Sequence, residues 1–350
     1  LLNKHLNQQK LHMKDLKFVQ VCPDDNYYVW QVHTWLESLR NIGKSDKAIS
    51  IIFTPDFRQF NVKWKELEAL YPESEFSYIK DTDGISKLIG IYIPIIRPYC
   101  LMKYFTAHPD MVSKAVFYCD CDVVFTESFN IDEYIDDDVC YLSNTTGYIN
   151  ASYFDSKIND VIPEKLNDYM KADILSEVTS LVGINREICE LNNDHSGGAQ
   201  YLLKNIGASF WEKMIGDCIT ITYYLRNVNK EFFENENKGF QVWCADMWAL
   251  LWNLWFREQK TLIIPAMNFA WSSDHIDKLE HVSILHNAGI TSNFQGDIPT
   301  FYKGNYHNNN SPFTDLHVME VLKNEKSKTL CNHYYLQQMF NVKNKYNLNY

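Results

Sequence analysis

No apolar stretch in the chain reaches the ~18 residues that a membrane-spanning helix requires. Ile89 to Met102 is interrupted by Pro94, Arg97 and Pro98, and Val242 to Phe256 by Asp246 and Asn253, so a soluble chain with no membrane span is expected. Basic residues are scarce: 33 Lys plus Arg face 44 Asp plus Glu, a formal net charge of -11. That balance disfavours extended binding along a nucleic-acid backbone, although a modified base acting as a small acceptor stays open. The cysteine pattern of a disulfide scaffold is also missing. The nine cysteines are an odd number and lie mostly inside apolar runs, which predicts buried free thiols of a reducing compartment and a cytoplasmic location. Cys119 and Cys121 are too close for a CxxC motif or a zinc knuckle. There is no internal repeat. The first residues, Leu1-Leu2-Asn3-Lys4-His5, carry neither a signal-peptide pattern nor an initiator Met, which fits a chain with upstream sequence removed.

What is present is ample material for a core: 46% of the 350 residues are hydrophobic and 15% aromatic. Lys17 to Cys22 reads as a strand stopped by Pro23-Asp24-Asp25, and Tyr28 to Leu39 has apolar residues at helical spacing. Ala48 to Thr54 is a second strand, Trp64 to Leu70 a helix, Glu75 to Ile79 a third strand and Pro98 to Thr106 a helix. Strands alternating with helices predict an α/β fold with an open, mostly parallel sheet. Lys114 to Phe125 is the predicted central strand, an apolar run broken only by two carboxylates. Further expectations are a strand at Val139 to Ser143, a helical region from Pro163 to Ser180, a helix starting near Ser196-Gly197-Gly198, an aromatic helix over Val242 to Phe256, and strands at Thr261 to Pro265 and Val282 to His286. The expected organisation is an extension over 1–16, one domain over 17–305 divided near 145, and an extension over 306–350. By composition, the tail after Asn305 is the least structured part.

The strongest chemical signal is Asp120-Cys121-Asp122. In a strand, residues i and i+2 share a face, so both carboxylates would meet at one point, where a divalent cation relieves their repulsion. The alternative is a strand end with two solvated acids. Ser283 to Gly289 (SILHNAG) delivers His286 at another strand end, where a neutral imidazole would complete a cation site; alone, such a histidine is more often a satisfied structural residue.

These two motifs, with Ser196-Gly197-Gly198-Ala199-Gln200 and Trp243-Cys244-Ala245-Asp246-Met247-Trp248 between them, resemble the GT-A class of nucleotide-sugar-dependent glycosyltransferases over residues 17–305. The resemblance implies a Rossmann-like sheet with an acceptor-side lobe. It also implies Mn²⁺ or Mg²⁺ held by Asp120, Asp122 and His286, with the metal clamping the diphosphate of a nucleoside-diphosphate sugar, UDP being the commonest nucleotide of the class. It further implies an acceptor loop at Ser196, Gly197 and Gly198, and at Asp246 the acidic residue near the sugar and the reacting hydroxyl; by position, His195 lines the acceptor pocket or belongs to a plain loop over 193–195. The chain departs from the class in two places. No Lys-Pro-Trp follows the HxxG motif, so the diphosphate lysine is carried to Lys303, and Ala245 stands where inverting members have a second acid, which leaves retention or inversion open.

Three further candidates come from position and chemistry. Asp24 and Asp25 end the first strand, where open α/β sheets bind ligands, and can equally be turn formers. Arg97 has the geometry for a diphosphate or for an ordinary ion pair. Asp246 reads as a general base, as a group that orients the donor sugar, or as a helix cap. The aromatic stripe Trp243, Trp248, Trp252 and Trp255 is assigned mostly to the core. The expected activity is transfer of a sugar to an acceptor hydroxyl. The alternatives are a catalytically silent sugar- or nucleotide-binding protein of the same fold, and a nucleotidyltransferase, which would need a basic cluster for a triphosphate that the sequence does not show.

Overall fold

The computed structural model describes residues 14–55, 60–235, 238–307 and 310–347. Ten strands build the site: β1 (Leu16–Pro23), β2 (Ala48–Thr54), β3 (Glu75–Lys80), β4 (Ala115–Cys119), β5 (Val123–Phe125), β6 (Cys140–Leu142), β7 (Gln200–Lys204), β8 (Thr261–Ile263), β9 (Phe269–Trp271) and β10 (Ile284–His286). Seven of them form one sheet in the order β3-β2-β1-β4-β7-β6-β8. Its strands run parallel except β7, which is antiparallel to both β4 and β6. Every residue of β2 and β4 is buried, because helices cover both faces; this is why these strands read as unbroken apolar runs instead of alternating ones.

On one face, Trp35, Leu36 and Leu39 of the helix Asn26–Asn41 pack on Phe18, Phe117 and Ile52. On the other, the helices Ile96–Ala107 and Ala208–Phe232 place Leu101, Phe105 and Trp211 against Val19, Ile51 and Val116. The result is a mixed α/β architecture with a mostly parallel central sheet between helical layers, as the alternation of elements predicts. Among the described residues, no helix is long and apolar enough to cross a membrane. All nine cysteines are free and buried.

Three expectations change. The apolar run Lys114–Phe125 is two strands: β4 ends at Cys119, the chain turns through 120–122, and β5 leaves the large sheet to pair antiparallel with β10. β10 in turn runs parallel to β9, giving a three-stranded sheet β5-β10-β9. Ser196-Gly197-Gly198 starts no helix; it is an extended segment that feeds β7. The tail, by composition the least structured part, folds into the helices Leu316–Lys323 and Cys331–Tyr346. Tyr335, Leu336 and Met339 of the latter join Tyr27, Trp30, Leu285 and Phe301 in a separate core beneath the small sheet. Its far end is tied to the first helix, where Glu37 accepts hydrogen bonds from Lys345 (2.5 Å) and Tyr346 (2.9 Å).

Candidate metal and donor site

The acids of the Asp120-Cys121-Asp122 motif converge because the chain changes sheets there, rather than through strand alternation. Between β4 and β5 the backbone turns, with Val123 N–H donating to the Asp120 carbonyl (3.4 Å) and Asn287 N–H to the Asp122 carbonyl (3.0 Å). The β5–β10 register pairs Val123 with His286, which sets the imidazole beside the turn. His286 Nε2 lies 3.5 Å from Asp120 Oδ2 and 3.4 Å from Asp122 Oδ1. One ligand atom from each of the three residues falls within 4.8 Å of the others. Two carboxylates and one imidazole are a donor set that can hold a divalent cation.

The ring of His286 is fixed from two sides. Trp271 stacks on it with centroids 5.3 Å apart and planes 30° apart, and the Gln200 amide sits 3.2 Å from Nδ1. Gln200 is itself held by the Ser143 hydroxyl, at 2.6 Å. The Gln200 NH2 is a donor, so this contact fixes the ring with Nδ1 as acceptor; a ligating Nε2 needs the amide turned so that its oxygen accepts from Nδ1–H.

Outward from this triad, charges alternate. Arg97 bridges two acids, with Nη2 2.8 Å from Asp120 Oδ1 and Nη1 2.9 Å from Asp246 Oδ2. Asp246 Oδ1 accepts from the Tyr92 hydroxyl at 2.7 Å, and the Asp246 N–H donates back to that hydroxyl at 2.9 Å. At the other end Lys303 pairs with Asp122 Oδ2. The order is therefore Asp246, Arg97, Asp120, His286, Asp122, Lys303.

The titration of these groups follows from burial and neighbours. Burial pushes Asp120 up, but Arg97 and His286 outweigh it and hold the carboxyl below its usual range. Burial opposes Asp122 in the same way, and Lys303 and His286 hold it far lower. For His286 burial favours the neutral ring, yet the two carboxylates push its pKa up to about 9. Asp246 ends above the ordinary value: burial raises it, and Arg97 and Tyr92 counter only part of that rise.

A cavity of about 240 Å³ opens onto Arg97, Asp120, Asp246, His286 and Lys303, with Tyr148, Trp243 and Trp271 on its walls. Asp122 lies behind it, 3% exposed. Ala199, also on the wall, has φ 68°, a left-handed conformation that a residue with a Cβ adopts only where its surroundings impose it. The structure thus gathers Asp120, Asp122, His286, Arg97, Lys303 and Asp246 around one cavity.

The other sequence candidates have structural partners elsewhere. Asp25 caps the first helix, accepting from Tyr27 N–H at 2.7 Å, and Asp24 accepts from the Trp64 indole at 2.8 Å. His195 ends a short helical turn, and the Ser196 hydroxyl donates to the Asn192 carbonyl at 3.0 Å. Gly197 is small because a Cβ there would meet the Ser143 carbonyl at 2.4 Å; at Gly198 it would meet the Tyr201 hydroxyl at 2.6 Å and Met247 at 2.8 Å. Close packing under the cavity wall accounts for both glycines. Three residues of the site carried no separate sequence signal: Tyr92, Trp271 and Gln200, although Gln200 directly follows the small-residue run.

No family model matches the chain, and no curated protein sequence matches it. Among solved structures, the apo form of mouse xyloside xylosyltransferase 1 is similar with a TM-score of 0.36 at 10% identity, over 78% of this chain and 97% of that one.

Proposed function

We propose that the chain is a metal-dependent glycosyltransferase of the GT-A type, moving a sugar from a nucleoside-diphosphate sugar, UDP-linked by the habit of the class, to an acceptor hydroxyl. One observation carries this reading: Asp120, Asp122 and His286 meet at the carboxyl end of β4, flanked by Arg97 and Lys303 on the rim of a closed-in cavity. Open α/β sheets bind ligands at the carboxyl ends of their strands, and a diphosphate needs cationic groups of this kind.

Asp120, Asp122 and His286 would hold Mn²⁺ or Mg²⁺, which stabilises the negative charge that grows on a leaving diphosphate. The protein's own residues do the rest. Arg97, already oriented by two carboxylates, and Lys303, held at Asp122, are placed to receive diphosphate oxygens. The aromatic walls limit water at the anomeric carbon, which disfavours hydrolysis of the donor. Asp246 has both oxygens engaged, by Tyr92 and by Arg97. Burial raises the pKa of Asp246, but with both oxygens already accepting it is well placed to orient Arg97 and the hydroxyls of the donor sugar, which favours front-face transfer with retention over a general-base role. Base and ribose would lie over the adjoining end of β1, where Asp24 and Asp25 shape the loop and the helix start instead of offering free carboxylates. The acceptor hydroxyl would reach the cavity from the side of Asp246 and Trp243.

A second reading draws on the same contacts: Lys303 on Asp122 and Arg97 on Asp120 already supply positive charge, as a metal-independent or catalytically silent nucleotide-binding protein would require. Incubation with a panel of UDP- and GDP-sugars separates the two. Slow donor hydrolysis that needs Mn²⁺ and stops with EDTA supports the first reading. Hydrolysis indifferent to EDTA, or nucleotide binding with no turnover, supports the second.

A further inference from the structure

The charged groups on the rim of the 240 Å³ cavity are paired with one another and with Asp122, but its floor carries two hydroxyls that are not. Tyr118 of β4 and Tyr201 of β7 stand directly opposite in the antiparallel register, so both lie on one side of the sheet, and both line the cavity. Their rings stack with centroids 5.9 Å apart and planes 22° apart, and Trp211 meets Tyr118 edge-on at 5.8 Å. The pair is thus held rigidly, with Tyr118 5% and Tyr201 4% exposed. Among the described residues the Tyr118 hydroxyl makes no hydrogen bond. The Tyr201 hydroxyl has only the Ala199 N–H directed at it, which leaves the phenol's own hydrogen unspent. Burial pushes both phenols well up, so each keeps that hydrogen to donate. Ala199 is also the wall residue in the left-handed region, a strain of the kind that persists at ligand sites.

Leaving a buried hydroxyl unpaired is costly, and the neighbouring floor of Met214, Met247 and Leu250 is apolar. What satisfies the two phenols must therefore enter the cavity. Tyr118 lies among Arg97, Asp120 and Asp246, the charges that act on its phenol. A sugar joined to a diphosphate at Arg97 and the metal-binding acids would extend over this same floor. The acceptor comes from the open side, where Trp243 is 57% exposed. The enclosed floor is thus left to the transferred sugar.

We propose that Tyr118 and Tyr201 donate to hydroxyls of the transferred sugar and so decide which sugar the site accepts. The assignment deepens the transferase reading and rests on it. A sugar whose hydroxyls point elsewhere leaves the phenols unpaired, which discriminates far more strongly than an apolar wall does. Calorimetry on the full chain in Mn²⁺ tests this, first with UDP and GDP to fix the base. The matching series follows: UDP-glucose, UDP-galactose, UDP-xylose and UDP-N-acetylglucosamine, or GDP-mannose and GDP-fucose. The tightest and weakest sugars should differ at least ~10-fold. Tyr118→Phe and Tyr201→Phe should each bring them within ~3-fold while bare-nucleotide affinity holds within ~2-fold. Tyr223→Phe, at an exposed tyrosine, should leave the spread intact. No spread in the unaltered chain, a spread that survives both cavity substitutions, or an equal loss of bare-nucleotide affinity in those variants would each overturn the assignment. In each of these cases nucleotide binding by the unaltered chain leaves the transferase reading standing, whereas no binding of either nucleotide ends both.

Discussion

The seven-stranded and three-stranded sheets both contribute to the metal triad, but they are held in place differently. Asp120 and Gln200 extend from β4 and β7, long-paired strands buried between two helical layers. His286 and Trp271 come from strands of three residues each, and that small sheet relies on the last helix for support. The start of the Cys331–Tyr346 helix is stitched to it by Cys331 N–H to the Asp274 carbonyl and Asn332 N–H to the Ser272 carbonyl, both 2.9 Å. The Asn332 side chain holds Phe301, accepting from its N–H at 2.7 Å and donating to its carbonyl at 3.0 Å, two residues before Lys303. One half of the site is thus fixed by strand pairing and the other by contacts far apart in sequence.

Four changes would sharpen or break that contrast. The largest effect is expected at the point where the sheets meet. Asp122→Ala removes a ligand and strands Lys303, and should lower Mn²⁺-dependent nucleotide affinity by more than the ~10–100-fold typical of outer partners, with the circular dichroism spectrum unchanged. Unaltered affinity in calorimetry would remove Asp122 from the site. On the large-sheet side, Asp246→Asn keeps the size and one acceptor oxygen but loses the charge facing Arg97. Transfer should fall ~100-fold or more while nucleotide affinity moves only a few-fold, and an active variant would leave Asp246 as a structural group.

The small-sheet side should show itself through pH. His286 in the metal-free protein is stabilised as the cation, its pKa raised from the ordinary 6.5 to about 9. Its contribution to stability is therefore fully present below pH 6.5 and lost as pH rises through about 9, by proton linkage. A metal needs the neutral ring, so Mn²⁺ affinity should rise over the same interval, and the metal-free melting temperature should fall there more than the metal-loaded one. In His286→Ala both trends should flatten and Mn²⁺ affinity drop at least ~10-fold; a pH response that persists would place its origin elsewhere. The smallest effect is expected for Asn332→Ala, which leaves the Phe301 N–H and carbonyl without their partner. Stability should fall by about 1–3 kcal/mol, seen by denaturant unfolding, with a several-fold rise in donor KM as Lys303 loosens. A stability loss with an unchanged KM would cut the link between the last helix and Lys303.

The same contrast explains what could be read in advance. β1, β2 and β4 announce themselves because strands buried on both faces must be apolar throughout, and Arg97, Asp246 and His286 stand where apolar runs break or end. The Asp120–Asp122 pair was legible as residues but not as geometry, since two carboxylates within an apolar run give no sign that the chain leaves one sheet for another. β9 is too short to show a period. The tail reads as unstructured because Asn, Lys and Tyr dominate it, yet Asn332 is 1% exposed and Tyr335 fully buried, their value lying in specific partners that composition does not register. The Gly197-Gly198 pair signals close approach correctly, but the approaching group is the protein's own β6 backbone and cavity wall. Tyr92 sits in an apolar run where a tyrosine is ordinary core material, and only the fold brings its hydroxyl to Asp246.

The central claim is that the alternating cluster from Asp246 to Lys303 is a cation-assisted diphosphate site. Calorimetric titration of the chain with UDP and with GDP, each in Mn²⁺ and in EDTA, tests it most directly. The account predicts that one nucleotide binds in Mn²⁺ and that EDTA abolishes most of the binding; equal affinity with and without the metal, or no binding of either nucleotide, would contradict it.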